Sequence, residues 1–352
     1  MNNEKHKSNS ILAIKYMMLS VFIASFAPLF FYNGKADDFP FFFNAIVKLS
    51  QCMAVGGFLF LNYKEELFNR QTWMCIKNNI FSWTVVLILI GGFDFALIGL
   101  SLKYIDISIV TVLHETWPIW AILLLNKILK KENRYSKINI FDLCLIFIAF
   151  IGMVFLVGSQ TGDMPLYNEN PIKSEFIFGV AAAILAAITS SFLGFTIKWG
   201  IDTNNSTDQF KDYEKDMSLF FALIAFIATA VISAIINIFF DLHGNDNKFE
   251  ANHFLYPFIF GLLLSIAVIS YRKSLLITTR LELNALLYLS PVLSLVWLWL
   301  ADYIEVANHN WLLIGASAIV ITNYIINLKE NSSVMVKIYF MIGWVIFLIF
   351  LI

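Results

Sequence analysis

Charge is scarce in this sequence. Asp, Glu, Lys and Arg make up 14% of its 352 residues, against roughly 25% in an ordinary soluble domain, which excludes the soluble globular classes. Cysteine is scarcer still. Cys52, Cys75 and Cys144 are scattered along the chain, too few for a disulfide framework and without a CxxC pair for metal, so they read as thiols. No Walker A motif or other Gly-rich phosphate loop occurs, so direct use of ATP is not expected. A DDxxD-like cluster within reach of a span is also missing, with Asp37 and Asp38 alone in a short loop. His243, His253 and His309 fit no metal-ligand spacing and read as surface histidines. Neither a metal nor a cofactor is expected. Long polar stretches are lacking too: the longest connections, 159–176 and 199–216, are too short to fold a core of their own. The opening residues MNNEKHKSNS precede an apolar run with no small-residue cleavage site, as suits a retained first helix.

What the chain has in abundance is apolar sequence: 59% hydrophobic residues, 35 phenylalanines and a mean hydropathy of +0.74. A hydrocarbon layer of ~30 Å needs ~20 mostly apolar residues to cross it as a helix. Ten runs qualify, at about 11–32, 41–62, 81–102, 107–127, 138–158, 177–198, 217–240, 254–271, 283–303 and 311–328. The fold class is therefore all-α polytopic membrane protein, since barrels show short alternating segments instead. Val334 to Ile352 forms an eleventh candidate, with a surface-lying helix as the alternative. An N-terminus in the cytoplasm puts seventeen lysines and arginines on the inner side and leaves Lys35, Lys103, Lys173 and Lys248 outside. A bias of that size sets orientation, and the expected location is the plasma membrane (the bacterial inner membrane), multi-pass.

A shift of 173 residues lays SLKYIDISIVTVLHETWP (101–118) on SLLITTRLELNALLYLSP (274–291) without a gap, matching Pro118 to Pro291. The same offset brings Glu132 onto Glu305, each at the end of the following helix. SFAPLFFYNG (25–34) likewise matches SFLGFTIKWG (191–200), with Pro28 and Gly194 as the helix-weakening residues. The chain thus divides into a five-helix repeat at 11–158, a second at 177–328 and the added segment 334–352. An odd helix number per repeat mounts the second copy upside down, an inverted repeat.

Two five-helix halves, the paired prolines and glutamates, and LIGASAIVI (313–321) opening the tenth helix resemble the EamA-type drug/metabolite transporter superfamily. ETWP with SPVLSLVWLW (290–299) is similar to the bacterial amino-acid exporters within it. The resemblance covers residues 11–328 and implies transport of small organic molecules along a central path lined mainly by helices 1, 3, 4, 6, 8 and 9.

Ionisable residues held at mid-depth cost ~2.5–3.5 kcal/mol and normally face the protein interior. Glu115 and His114, about half-way across the fourth helix, are the leading candidates. Pro118 frees the carbonyl of residue 114 and bends the axis beside them, a setting that suits an ammonium group. The repeat offset brings Glu115 onto Tyr288. Asp94 in the third helix either joins an acidic centre or hydrogen-bonds Ser or Thr on a neighbouring helix. Lys48 either pairs with Asp94 or a backbone carbonyl, or snorkels to the interface. Trp117, Tyr288, Trp297 and Trp299 are placed to stack on an organic substrate, though aromatics are frequent enough here for belts and core packing to explain any one of them. Lys15, Asp142, Lys198, Arg272 and Glu282 lie near cytoplasmic helix ends, where headgroups and water solvate them.

These observations together point to a non-enzymatic secondary transporter, exporter or exchanger, of small metabolites, with amino acids or related amines first. It would work by alternating access, with bends at Pro28, Pro118, Gly194 and Pro291 and with protons as the coupling ion through Glu115 and His114. The expected partners are a small-molecule substrate and the lipid bilayer; no nucleic acid is expected, and a homodimer is compatible with the chain. Two rivals stay open: a membrane enzyme working on a lipid-borne substrate with His114 and Glu115 as acid and base, and a non-transporting scaffold whose polar pairs hold helices together.

Overall fold

The computed structural model describes residues 2–70, 92–105, 107–114, 174–202, 217–241, 250–277 and 289–303, with isolated positions between them. All regular structure among the described residues is helical. In chain order the segments are α1 (Asn2–Ala24), α2 (Ala27–Asn33), α3 (Pro40–Asn62), α4 (Lys64–Leu67), α5 (Asp94–Leu102), α6 (Ile107–His114), α7 (Ser174–Asp202), α8 (Met217–Phe240), α9 (Asn252–Ile277) and α10 (Leu289–Leu300).

Five stretches among the described residues are long and apolar enough to cross a membrane: Ile11–Asn33, Pro40–Asn62, Ser174–Phe192, Leu219–Phe240 and Asn252–Ser274. With the composition, they mark an integral membrane protein. The expected spans 81–102, 107–127, 138–158, 283–303 and 311–328, and the segment 334–352, lie wholly or partly outside the described residues.

Helix is the only economical state for such segments, because a backbone polar group in hydrocarbon has no water to bond. The hydroxyls follow the same rule. Ser50 donates to the Val47 carbonyl at 2.9 Å, Thr229 to Ala225 at 2.7 Å and Ser265 to Gly261 at 2.8 Å, each returning its proton to the preceding turn of its own helix.

The first span is broken at Ser25–Phe26, ahead of Pro28, the second residue of α2. Proline cannot donate to the carbonyl one turn back, and side chains of α10 cover the gap: Ser294 donates to the Ser25 carbonyl at 2.8 Å and the Trp297 indole N–H to Ser25 Oγ at 2.9 Å. The α2 helix ends on Lys35, whose φ of 45° is the left-handed closing residue, with the Ala36 N–H bonded to the Phe31 carbonyl at 3.0 Å. Asp302, at φ 58°, closes α10 in the same way.

The contacts fall into two units, each drawing on both halves of the chain. One comprises Met1–Leu29, Asp106–Ser174 and Lys273–Ile352; the other comprises Phe30–Ile105 and Glu175–Arg272. In the second unit α3 is the hub, packed along α8 and against α5. Its first turn begins at Pro40, where a missing N–H costs nothing. The Asp241 carboxylate, just past α8, accepts the next two N–H groups, of Phe41 at 2.9 Å and Phe42 at 3.0 Å. At the far end Val55 and Leu59 of α3 close on Leu219, Phe220, Leu223 and Phe226 of α8.

Helices that approach closely need small residues at the crossing. A side chain on Gly261 of α9 would run into the Ser50 hydroxyl and the Val47 carbonyl of α3, whereas Gly57 on the same α3 has open space around it. We expect Gly261→Ala to lower the melting temperature of the detergent-solubilised protein and Gly57→Ala to leave it unchanged or raise it, since alanine is the better helix former by roughly 1 kcal/mol. Equal melting of the two variants would remove the tight α3–α9 crossing.

Candidate functional site: a buried ion pair in the α3–α5–α8 unit

Lys48 lies a third of the way along α3 and Asp94 is the first residue of α5. Their charged groups are 3.0 Å apart and both side chains are sequestered, at 1% and 6% exposure. Asp94 is held on every side. Its Oδ1 also accepts the Phe95 N–H at 3.0 Å, and Oδ2 accepts the Ser190 hydroxyl of α7 at 3.3 Å. A carboxylate in the first helical turn gains further from the α5 dipole. The Lys48 ammonium sits 4.5 Å from the centre of the Phe95 ring and 5.6 Å from that of Phe226, within cation–π range. Phe31, Phe43 and Phe260 pack on Phe95 or on one another at 5.5 to 5.7 Å, with Phe30 stacked behind Phe260 at 5.1 Å.

Around the pair α3 presents a line of polar residues. Asn44, Lys48 and Gln51 are each fully buried and recur at three- and four-residue spacing, which puts them on one face. Asn44 donates to the Gly92 carbonyl at 3.0 Å and to Ser233 Oγ of α8 at 2.8 Å. Among the described residues the Gln51 carboxamide has no hydrogen-bond partner for its oxygen or its nitrogen.

The structure places the residues singled out from sequence as follows. Asp94 meets Lys48 and bonds Ser190 on a neighbouring helix, as the second of its two readings expected; the first, an acidic centre with Glu115, falls outside the described residues. Lys48 pairs instead of snorkelling. His114 ends α6 and is half-buried, as is Trp117. Trp297 is half-buried, bonds Ser25 and stacks on Phe26 at 4.7 Å. Pro28 stands at the α1–α2 break, α7 runs through Gly194 without interruption, and Pro291 lies in the first turn of α10. Glu115, Pro118 and Tyr288 lie outside the described residues.

Two readings need correction. His253 is 2% exposed: its Nδ1 accepts the Glu250 N–H at 2.9 Å, which leaves Nε2 to carry the proton toward Asp38 at 3.3 Å, and it stands edge-on to Phe39. The spacing argument that ruled out metal binding gave no measure of its burial. Arg272 is 1% exposed, not solvated at a helix end, because a residue's distance from the end of a run says nothing of which face its helix turns inward.

Asn44 and Gln51 were missed altogether. The available signal was the 44–48–51 spacing of polar residues within an apolar run. At the end of the unit near Asp241, Lys35 and Glu250 form an exposed pair at 2.9 Å, which raises the lysine pKa and lowers that of the glutamate, each through their mutual hydrogen bond.

No protein-family model matches the chain, and no curated protein matches it. A solved structure described only as "Crystal structure of protein" is similar, with a TM-score of 0.64 over 91% of this chain and 97% of that one at 18% identity. At that identity the likeness speaks for the fold alone.

Breaking a buried pair from one side strands the other charge, at about 3–5 kcal/mol, whereas replacing both by apolar residues of similar volume is often neutral. We expect Lys48→Met and Asp94→Leu each to lower thermal stability sharply and Lys48→Met/Asp94→Leu to recover most of the loss. Additive losses in this double-mutant cycle would mean the two groups do not interact.

Burial pushes the Asp241 carboxyl above its ordinary range, against the opposing pull of the Phe42 and Phe41 N–H groups and of Lys103. A carboxyl whose folded pKa is raised favours the fold while protonated, and this contribution fades as pH climbs through the folded value. Stability should therefore decline from about pH 4 upward in the intact protein, and Asp241→Asn, which keeps an oxygen for the two N–H groups, should flatten that slope in melting curves taken across pH.

Proposed function

We propose that the protein is a secondary transporter of small organic metabolites, amino acids or related amines first, working by alternating access. The observation that carries this reading is the Lys48–Asp94 pair, two opposite charges withdrawn from solvent, the lysine within a helix suited to a bilayer. Ionisable groups at that depth are expensive and recur where ions or substrates pass. The neighbouring unbonded carboxamide of Gln51 favours a polar working surface over a purely structural clamp, since a clamp gains nothing from an unsatisfied amide. In this reading Glu115 and His114 attract the substrate's amino group or exchange a proton against it.

Uptake of labelled amino acids and amines into proteoliposomes under an imposed proton gradient tests it. We expect flux in the intact protein, loss of flux in Glu115→Gln with folding unchanged, and loss in Lys48→Met/Asp94→Leu, which removes both buried charges together. Absence of flux for the whole panel in the intact protein would overturn the transport reading. Undiminished flux in either variant would take those residues off the path.

A further inference from the structure

The interface between α3 and α8 is polar on one side of the ion pair and apolar on the other. On α8 the buried side chains Thr229, Ser233 and Asn237 recur once per turn and lead to Asp241 just past the helix. On α3 the matching face carries Asn44 and then Lys48. The links are close: Asp241 holds the Phe41 and Phe42 N–H groups, and Asn44 joins Ser233 to the Gly92 carbonyl. Asp94 follows Gly92 by two residues. From Thr229 to Asp241 the helix rises ~18 Å, more than half of a ~30 Å hydrocarbon layer. Along this stretch Asn237 and Asn44 each keep a buried side-chain oxygen with no hydrogen bond, and such acceptors are where internal water is held. On the other side, past Gln51, Val55 and Leu59 close on Leu219, Phe220, Leu223 and Phe226, a surface with nothing to hold water or a proton.

We propose that the polar track Asp241–Asn237–Ser233/Asn44 is a one-sided proton route to Asp94. A proton entering at Asp241 is relayed by the serine hydroxyl and by water bound to the two amide oxygens, and adds to the Asp94 carboxylate. One O–H bond forms there, the Lys48 ammonium loses its counter-ion, and the pair passes from neutral to a single positive charge, with nothing oxidised or reduced. The groups that face Asp94 are Lys48 from α3, Ser190 from α7 and the Phe95 N–H of α5. Those that face Asp241 are the Phe41 and Phe42 N–H groups and the charge of Lys103. The inference rests on the transport reading for its purpose, which is to supply the coupling ion.

Infrared difference spectroscopy on the full-length protein in lipid, with the proton as the only probe, tests it without substrate or flux. Acidification should produce a protonated-carboxyl C=O band that is missing in Asp94→Asn. Asn237→Leu, with its melting curve checked against the intact protein, should slow the appearance of the band about tenfold, the rate equivalent of one lost hydrogen bond. Val55→Ala, in the apolar cluster past Gln51, should leave band and rate unchanged. A band that survives in Asp94→Asn, an unaltered rate in Asn237→Leu, or an equal slowing in Val55→Ala would each overturn the route. Should Asp94→Asn not fold, the Asn237→Leu and Val55→Ala variants decide it on rate alone. Failure here leaves the flux measurements standing, and failure of flux leaves this band where it is.

Discussion

A membrane interior offers polar groups no second chance: whatever is not bonded within the protein stays unbonded. That constraint explains most of what the described residues do. Serine and threonine hydroxyls return to their own helices, the break before Pro28 is covered by Ser294 and Trp297, and the first N–H groups of α3 are taken by Asp241. The Lys48–Asp94 pair is the extreme case, since two full charges, unlike a hydroxyl, cannot be satisfied by one nearby carbonyl. Asp94 needs a lysine from α3, a serine from α7 and a backbone N–H of its own helix together, and so the pair fixes how α3, α5 and α7 meet within their unit.

The spans were legible because hydropathy is a property of runs. The expected segments 11–32, 41–62, 217–240 and 254–271 correspond to Ile11–Asn33, Pro40–Asn62, Leu219–Phe240 and Asn252–Ser274 within a few residues, since the end of an apolar run coincides with the edge of what hydrocarbon tolerates. The site was legible only in part. Asp94 and Lys48 stood out as charges in apolar sequence, and their mutual partnership was one of the options their depth allowed. Depth along a span is visible in sequence; rotation about the helix axis is weaker, because a helix that is hydrophobic all round shows no face. Arg272 and His253 were misjudged for that reason, and Asn44 and Gln51 escaped notice because an uncharged amide barely disturbs a hydropathy profile.

Gln51 and Ser25 show two outcomes of the same accounting. Ser25 stands where a helix is broken and ends with both its carbonyl and its hydroxyl engaged by α10, a solved local problem. Gln51 stands in an unbroken helix, where no backbone group asks for it, and among the described residues its amide has no partner. A leucine there would fill the same space without the cost of desolvating an amide, so packing alone does not account for it beside the charged pair.

The phenylalanines complete the picture. If Asp94 takes up a proton, the Lys48 ammonium does not fall into hydrocarbon with nothing to face, because the rings of Phe95 and Phe226 already stand against it. Such contacts are worth ~0.5–2 kcal/mol, well short of the pair they would replace but enough to lower the cost of parting it. Phe31 and Phe260 pack on the Phe95 ring, and Phe43 on Phe31, which holds that ring in place beside the ammonium. A charge that can lose its counter-ion without moving far is what the proposed proton site requires, and an aromatic wall against the ammonium supplies it.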